Sequence, residues 1–227
     1  MMGYGQYRDT VFVDEGYVVI DKGRFEAKLR SKLYYSLEYD LDTALVQKLF
    51  LRYYLGHLKP LEKEQLYGIL AQRNQVDTSQ TILIHYQDTL KSRDSYPKKE
   101  QIVSLKNGGH RHIPSYRTFF KAHKKCMKTY DRQEGIRVYH YFHHNQGHPT
   151  AYKDLEWYED PLDLLRKLFY NKGDNTRMWR VFLYPNGDYL VLYGGMPNEM
   201  YEDLKFHRNW DTHYQKFQET YDRVNTD

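Results

Sequence analysis

Cysteine is almost absent from this chain, since Cys126 is the only one among 227 residues. One thiol cannot form an internal disulfide, a dithiol redox pair or a zinc site built from several cysteines. No run of about 18 apolar residues is present, so no membrane span is predicted. The glycine patterns of nucleotide-binding loops and the serine elbow of hydrolases are also missing. A redox-active dithiol and those nucleotide and serine chemistries are therefore excluded.

The first ten residues, MMGYGQYRDT, lack the apolar core of a secretory signal peptide. We expect a soluble protein, and a single cysteine leaves its compartment open. The alternative that this is an extracytoplasmic mature chain with its leader removed also stays open. The oligomeric state is not predicted.

Aromatic residues and a basic middle segment are what the chain has in excess. It contains 24 Tyr, 10 Phe and 3 Trp, which predicts a core of buried rings with hydroxyl groups at its edge. The net charge is +4, but residues 91–137 carry +9 and the remainder −5. This asymmetry indicates attraction for an anion, a phosphate backbone or an acidic partner.

Residues 1–78 are predicted to form an N-terminal extension. TVFVDEGYVVID and KLYYSLEY have the β-branched and alternating pattern of strands. Apolar residues then recur at helical spacing from Leu45 to Tyr54, and Pro60 is typical of a second helix start. Residues 40–73 are therefore predicted to be a helical hairpin.

Residues 79–227 are predicted to form an α/β domain, a mixed sheet flanked by helices. A long loop over 89–113 interrupts the pattern, and loops of that length are usually functional or mobile. The regular elements form an alternating series, which predicts helices on both faces of the sheet. In chain order they are strand 81–86, helix 114–130, strand 136–142, helix 160–170, hairpin 178–193 and a terminal helix.

The order of these elements, with the hairpin FLYPNGDYLVLYGG, resembles a thioredoxin-like domain over residues 80–222. The similarity is to periplasmic thiol-disulfide oxidoreductases of the cytochrome-maturation type. That family has a Cys-x-x-Cys pair after its first strand, where this chain reads HYQDTLKSRDSYP. It also has a cis proline before the hairpin, where this chain reads DNTRMW. The resemblance thus implies the fold without the oxidoreductase chemistry.

VYHYFHHNQGHP contains four histidines, a density that suggests a metal site. Alternation along strand 136–142 would direct His140 away from His143, and adjacent loop histidines rarely meet one ion. We therefore predict no bound metal and no cofactor. The histidines considered as ligands are His110, His112, His140, His143, His144 and His148.

The helix 114–130 carries two further candidate groups. Its basic face is a candidate anion-binding patch, although the solvated side of an amphipathic helix has the same pattern. Cys126 lies beside the apolar stripe, so we predict a buried structural thiol rather than a nucleophile served by His123. The basic residues are Lys121, Lys124, Lys125 and Lys128.

The sequence favours a non-catalytic binding or interaction protein, with an unknown protein or an anion as its partner. Two alternatives stay open. One is an enzyme, a metal-assisted hydrolase that uses the histidine-rich stretch 140–148. The other is a nucleic-acid binder acting through the basic patch, although no recognised nucleic-acid-binding module surrounds it.

Overall fold

A computed structural model of the chain describes residues 9–41, 43–104, 110–132, 135–152, 155–169 and 179–226. Strands and helices are both abundant, and the predicted α/β class is confirmed. Among the described residues, no helix has both the length and the apolar character needed to cross a membrane.

The strands are β1 (Thr10–Val13), β2 (Val19–Ile20), β3 (Tyr34–Asp40), β4 (Leu45–Leu51), β5 (Tyr53–His57), β6 (Thr81–Leu90), β7 (Gln101–Ser104), β8 (His110–Ile113), β9 (Ile136–Asn145), β10 (Ala151–Tyr152), β11 (Leu155–Glu159), β12 (Trp179–Leu183) and β13 (Asp188–Leu192). The helices are α1 (Lys22–Arg30), α2 (Pro60–Asn74), α3 (Tyr116–Asp131), α4 (Leu164–Phe169), α5 (Asn198–Leu204) and α6 (Trp210–Asn225), with 3₁₀ turns at Arg93–Ser95 and Pro161–Asp163.

The described strands form three sheets. One has the order β2-β1-β4-β3, a larger one has the order β10-β11-β9-β6-β12-β13-β5, and β7 pairs with β8 alone. In the larger sheet β6, β9 and β11 run parallel, and β12 is antiparallel to β6. The parallel strands β6 and β9 are connected through α3, which packs on β9.

The chain divides into two compact units, the first drawn from residues 1–56, 167–176 and 190–227, and the second from 57–166 and 177–189. Each contains segments from both sides of residue 78, and the boundary predicted there stays a prediction. In the first unit, the buried Lys28 donates to both carboxylate oxygens of Glu15, at 3.0 and 2.9 Å. The Tyr34 hydroxyl donates to the same carboxylate at 3.1 Å, so buried charge is paired there.

The helical hairpin predicted over 40–73 is wrong in its first half. Leu45–Leu51 and Tyr53–His57 are strands, and only Pro60–Asn74 is helical. The apolar residues in this stretch fit both a helical and a strand period. Pairing of β4 with both β1 and β3 stabilises the strand. Helix α1, which was not predicted, is capped by Asp21, whose carboxylate accepts from the Arg24 amide at 3.0 Å.

The loop predicted over 89–113 is also partly wrong. Thr89 and Leu90 complete β6, a 3₁₀ turn follows, and β7 and β8 form a ribbon. Residues 105–109 of that loop lie outside the described residues, as do most of the residues DNTRMW. The predicted strand 136–142 continues to Asn145.

Candidate metal centre

Two parallel strands of the second unit place two histidines side by side. His85 of β6 is the direct partner of His140 of β9 in the register of the parallel pair. Opposite residues on adjacent strands project to the same face of a sheet. His140 was predicted to point away from His143, and the ring of His143 contacts Asp163 and Arg166 instead.

Helix α3 supplies the third histidine. The Ser115 hydroxyl caps the helix by accepting from the Thr118 amide, which satisfies a donor of the first turn. The apolar side of the helix then contains Phe119, Phe120 and Met127, which pack against the apolar cluster described below. His123 lies on this same side and is buried.

The three imidazoles form a compact cluster. One potential ligand nitrogen of each ring lies within 4.8 Å of those of the other two. The ring centroids of His140 are 5.0 Å from those of both His85 and His123, and the other pair is 5.9 Å apart. In the described part of the chain, no carboxylate belongs to this group.

Burial keeps the three rings neutral. His85, His123 and His140 are only 4%, 5% and 1% exposed. Removal from water is the main cause that lowers the pKa of His85 to about 3, of His123 to about 4 and of His140 to about 2. A neutral imidazole has one nitrogen lone pair available to a metal.

Each ring also has a buried nitrogen without a hydrogen-bond partner. These atoms are Nδ1 of His85, Nδ1 of His123 and Nε2 of His140. Leaving a polar atom buried and unpaired costs about 1–3 kcal/mol, so three such atoms in one cluster require an explanation. A metal ion would satisfy them.

The surroundings of the cluster are apolar. Trp157 of β11 lies 4.9 and 5.1 Å from the rings of His140 and His123, measured between centroids. It belongs to a buried group with Leu90, Phe142 and Leu155. An apolar lining lowers the local dielectric constant, which strengthens any electrostatic interaction inside the centre.

Cys126 contacts the edge of this centre through His85. Its Sγ lies 3.3 Å from His85 Nε2, so the partner of the thiol is not His123, one turn earlier in the helix. The side chain is half-buried and not fully buried as predicted, because Cys126 lies at the edge of the apolar side of the helix, and burial raises the pKa of the thiol. Metal-bound histidines commonly have an acceptor on their second ring nitrogen, and the sulfur occupies such a position.

Only one of the six histidines considered from the sequence belongs to the cluster, namely His140. His143 and His144 lie in β9 rather than in a loop. His143 is fixed by Asp163 and Arg166, at 2.8 and 2.9 Å, and His144 is exposed. His148 is buried with its Nδ1 2.8 Å from the carbonyl oxygen of Lys91.

The remaining two candidates lie on the ribbon strand β8. His110 Nδ1 is 3.4 Å from the Ser104 hydroxyl, and His112 Nε2 is 3.1 Å from the Glu100 carboxylate. Along α3, Lys121, Lys125 and Lys128 are exposed and Lys124 is half-buried. Anion binding by these lysines stays a prediction.

Sequence reasoning missed His85 and His123 as members of this cluster, although a signal was present. Each lies where the local pattern favours an apolar residue, His85 within a buried-strand run and His123 on the apolar stripe of a helix. Their meeting with His140 depends on the register of β6 with β9, which the sequence does not give. Comparisons of the chain with protein-family models, with curated proteins and with solved structures found no match.

Proposed function

We propose that this is a non-catalytic binding protein whose ligand is one transition-metal ion, held by His85, His123 and His140. Two observations carry the proposal: each of the three rings has a buried nitrogen without a hydrogen-bond partner, and one nitrogen of each ring lies within 4.8 Å of one nitrogen of the other two. Imidazole is the common protein ligand for zinc, copper, iron and nickel. The proposal replaces the expectation of a metal-free protein, which considered His110, His112 and the stretch 140–148 but neither His85 nor His123 as ligands.

The nitrogens need only small shifts to bind one ion. Ligands about 2.0–2.1 Å from a tetrahedral metal are about 3.3 Å apart. The nitrogens of the cluster lie within 4.8 Å of one another, so binding requires them to approach by about 1.5 Å at most. All three imidazoles are neutral at pH 7, so binding does not require an imidazolium ring to lose its proton.

The same burial supports binding rather than catalysis. A catalytic metal keeps an open position for water or substrate. Here the three ligand side chains are at most 5% exposed, and Trp157 packs against two of them. A hydrolase built on residues 140–148 would need a water-filled approach to the ion, so binding is the function that we favour.

A thioredoxin-like scaffold is part of this proposal. It is supported by the parallel strands β6 and β9 joined through α3, with β12 antiparallel beside β6. On this scaffold the metal centre would lie within the sheet and helix that the family uses, but it would employ histidines instead of a dithiol.

The test is metal binding by tag-free full-length protein. We expect about one equivalent of at least one ion among Zn(II), Co(II), Ni(II) and anaerobic Cu(I), by elemental analysis after gel filtration. His140→Leu should weaken binding by about 100-fold or more, since the effect of losing a ligand should exceed that of losing its outer partner. Unfolding curves of both apo proteins would show that the variant is folded.

His144→Ala is the matched control, because it removes an exposed histidine from the same strand. It should bind the ion as the unmodified protein does. No binding of any of the four ions, or equal loss in the His144 and His140 variants, would contradict the proposal.

A further inference from the structure

We propose that the ion selected by this centre is monovalent copper, Cu(I), rather than a divalent ion; this rests on the proposed function. The starting point is the charge of the ligands. All three are neutral imidazoles, and no carboxylate of the described residues joins them. A divalent ion would therefore leave a charge of +2 in the core, and Cu(I) would leave +1.

The free-energy cost of burying the charge differs strongly between a divalent ion and Cu(I). The energy of moving an ion from water into a low-dielectric medium grows with the square of its charge, so the cost for a divalent ion is about four times as large. The lining does not offset this, since Leu90, Phe142, Leu155 and Trp157 are apolar or aromatic and buried.

The charged groups that act on the cluster add to the discrimination. Arg180 of β12 is the direct partner of His85 in the register of β12 with β6, and it acts on His85 as a positive charge. Cys126, beside His85, is subject to the same cation. This cation opposes an ion of charge +2 twice as strongly as an ion of charge +1, because the Coulomb energy is proportional to the charge of the ion.

Coordination number points the same way. Zn(II) with three histidines normally completes its shell with water, which a site exposed by only 1–5% does not readily admit. Cu(I) is a soft d¹⁰ ion that is satisfied by two or three nitrogen or sulfur ligands. The nearby indole of Trp157 can also stabilise a cation through its π electrons.

The experiment is an anaerobic competition on the full-length protein. Cu(I) is titrated against bicinchoninate and Zn(II) against a chromophoric chelator, and Ag(I) serves as a redox-stable monovalent probe. We expect Ag(I) to displace Cu(I), whereas about a 1000-fold excess of Zn(II) should not. X-ray absorption at the copper edge should show nitrogen ligands, lost in His85→Leu and kept in His144→Ala.

The outcomes separate the two proposals. Tighter binding of Zn(II) or Co(II) than of Cu(I) at the same three histidines would overturn the selection of Cu(I) and leave the metal centre standing. A copper–sulfur signal that disappears in Cys126→Ser would overturn the all-imidazole charge balance. Failure of every ion to bind would remove the centre itself.

Discussion

Among single residues, the thiol of Cys126 is held in a way that limits its reactivity. It is half-buried, contacts His85, and has a pKa that burial raises above its usual range. Because the thiolate is the reactive form, we expect slow modification by Ellman's reagent in the native protein at neutral pH. The same chain in denaturant should react at the rate of a free thiol, and complete native labelling within seconds would contradict this.

The buried charge pair of Lys28 and Glu15 gives a second expectation at this scale. Glu15→Gln should lower the free energy of unfolding by about 3 kcal/mol, because it leaves the 1%-exposed Lys28 without a counter-charge. Urea unfolding monitored by circular dichroism measures the change.

Glu26 provides the matched control for Glu15. Its ion pairs with Lys22 and Arg30 are exposed and lie one helical turn away, at 3.8 and 3.5 Å. Glu26→Gln should therefore change the unfolding free energy by about 0.5 kcal/mol or less. An equal decrease of the unfolding free energy in both variants would show that the pairing of Glu15 with Lys28 does not stabilise the protein.

For single residues, the sequence predicted the side of the strand to which a side chain projects. It did not predict the contacts between residues that are distant in sequence. The alternation of β9 gave the correct side for His140, because local periodicity alone determines it. The pairing of His85 with His140 depends on strand register, and the approach of His123 depends on how α3 packs on the sheet. Both are properties of the tertiary fold, so no local pattern contains them.

Among the elements, the hairpin of β12 and β13 depends on one glycine. Gly187 has φ of +98°, and its amide donates to the Tyr184 carbonyl oxygen at 2.9 Å to close the turn. A Cβ there would lie 3.1 Å from Cδ of Lys63. Gly187→Ala should thus destabilise the protein by about 1 kcal/mol or more, measured as a lower urea midpoint.

Gly68, inside helix α2, is the control for this substitution. It has helical backbone, and a methyl group added to its Cα would have no neighbouring atom within 4 Å. Gly68→Ala should raise stability by about 0.5–1 kcal/mol, the reverse of the effect at Gly187. If both substitutions change the stability in the same direction, backbone conformation does not determine the effect at either glycine.

The elements that could be predicted are those with a single consistent local signal. Strand β6 begins as a short apolar run, helix α3 has a helical period after a capping serine, and the β12–β13 hairpin has an Asn-Gly turn. Residues 45–57 have no such signal, because their closely spaced apolar side chains satisfy both periods. In that stretch, pairing with neighbouring strands determines that the residues form strands, and β1 lies far away in sequence.

For the whole molecule, the three buried histidines predict a loss of stability in acid. Their pKa values in the folded state, from about 2 to about 4, lie below the value of about 6.5 in an unfolded chain. The unfolded chain therefore binds more protons as the pH falls through 6.5. Stability of the metal-free protein should be full above pH 6.5 and decline by up to about 1.4 kcal/mol per pH unit for each histidine.

The His140→Leu variant tests the origin of this decline. The variant removes one of the three histidines that bind a proton on unfolding. Its free energy of unfolding should therefore fall about one-third less steeply between pH 6 and pH 4. His144→Ala, which removes an exposed histidine, should keep the original slope. Urea unfolding across this pH range measures both, and an unchanged slope in His140→Leu would assign the acid sensitivity to other groups.

The origin of the three imidazoles on β6, α3 and β9 has a consequence for local opening of the backbone. An ion bound to all three would cross-link a strand, the following helix and the next strand, so that none of them could open without breaking a metal–ligand bond. Amide hydrogens in these elements should then exchange with deuterium as one cooperative group. The ion should slow their exchange by the factor by which it increases the ratio of closed to open backbone. The β7–β8 ribbon, which carries no ligand, should exchange at the same rate with or without the ion. Metal loading would thereby be read directly from a map of amide exchange.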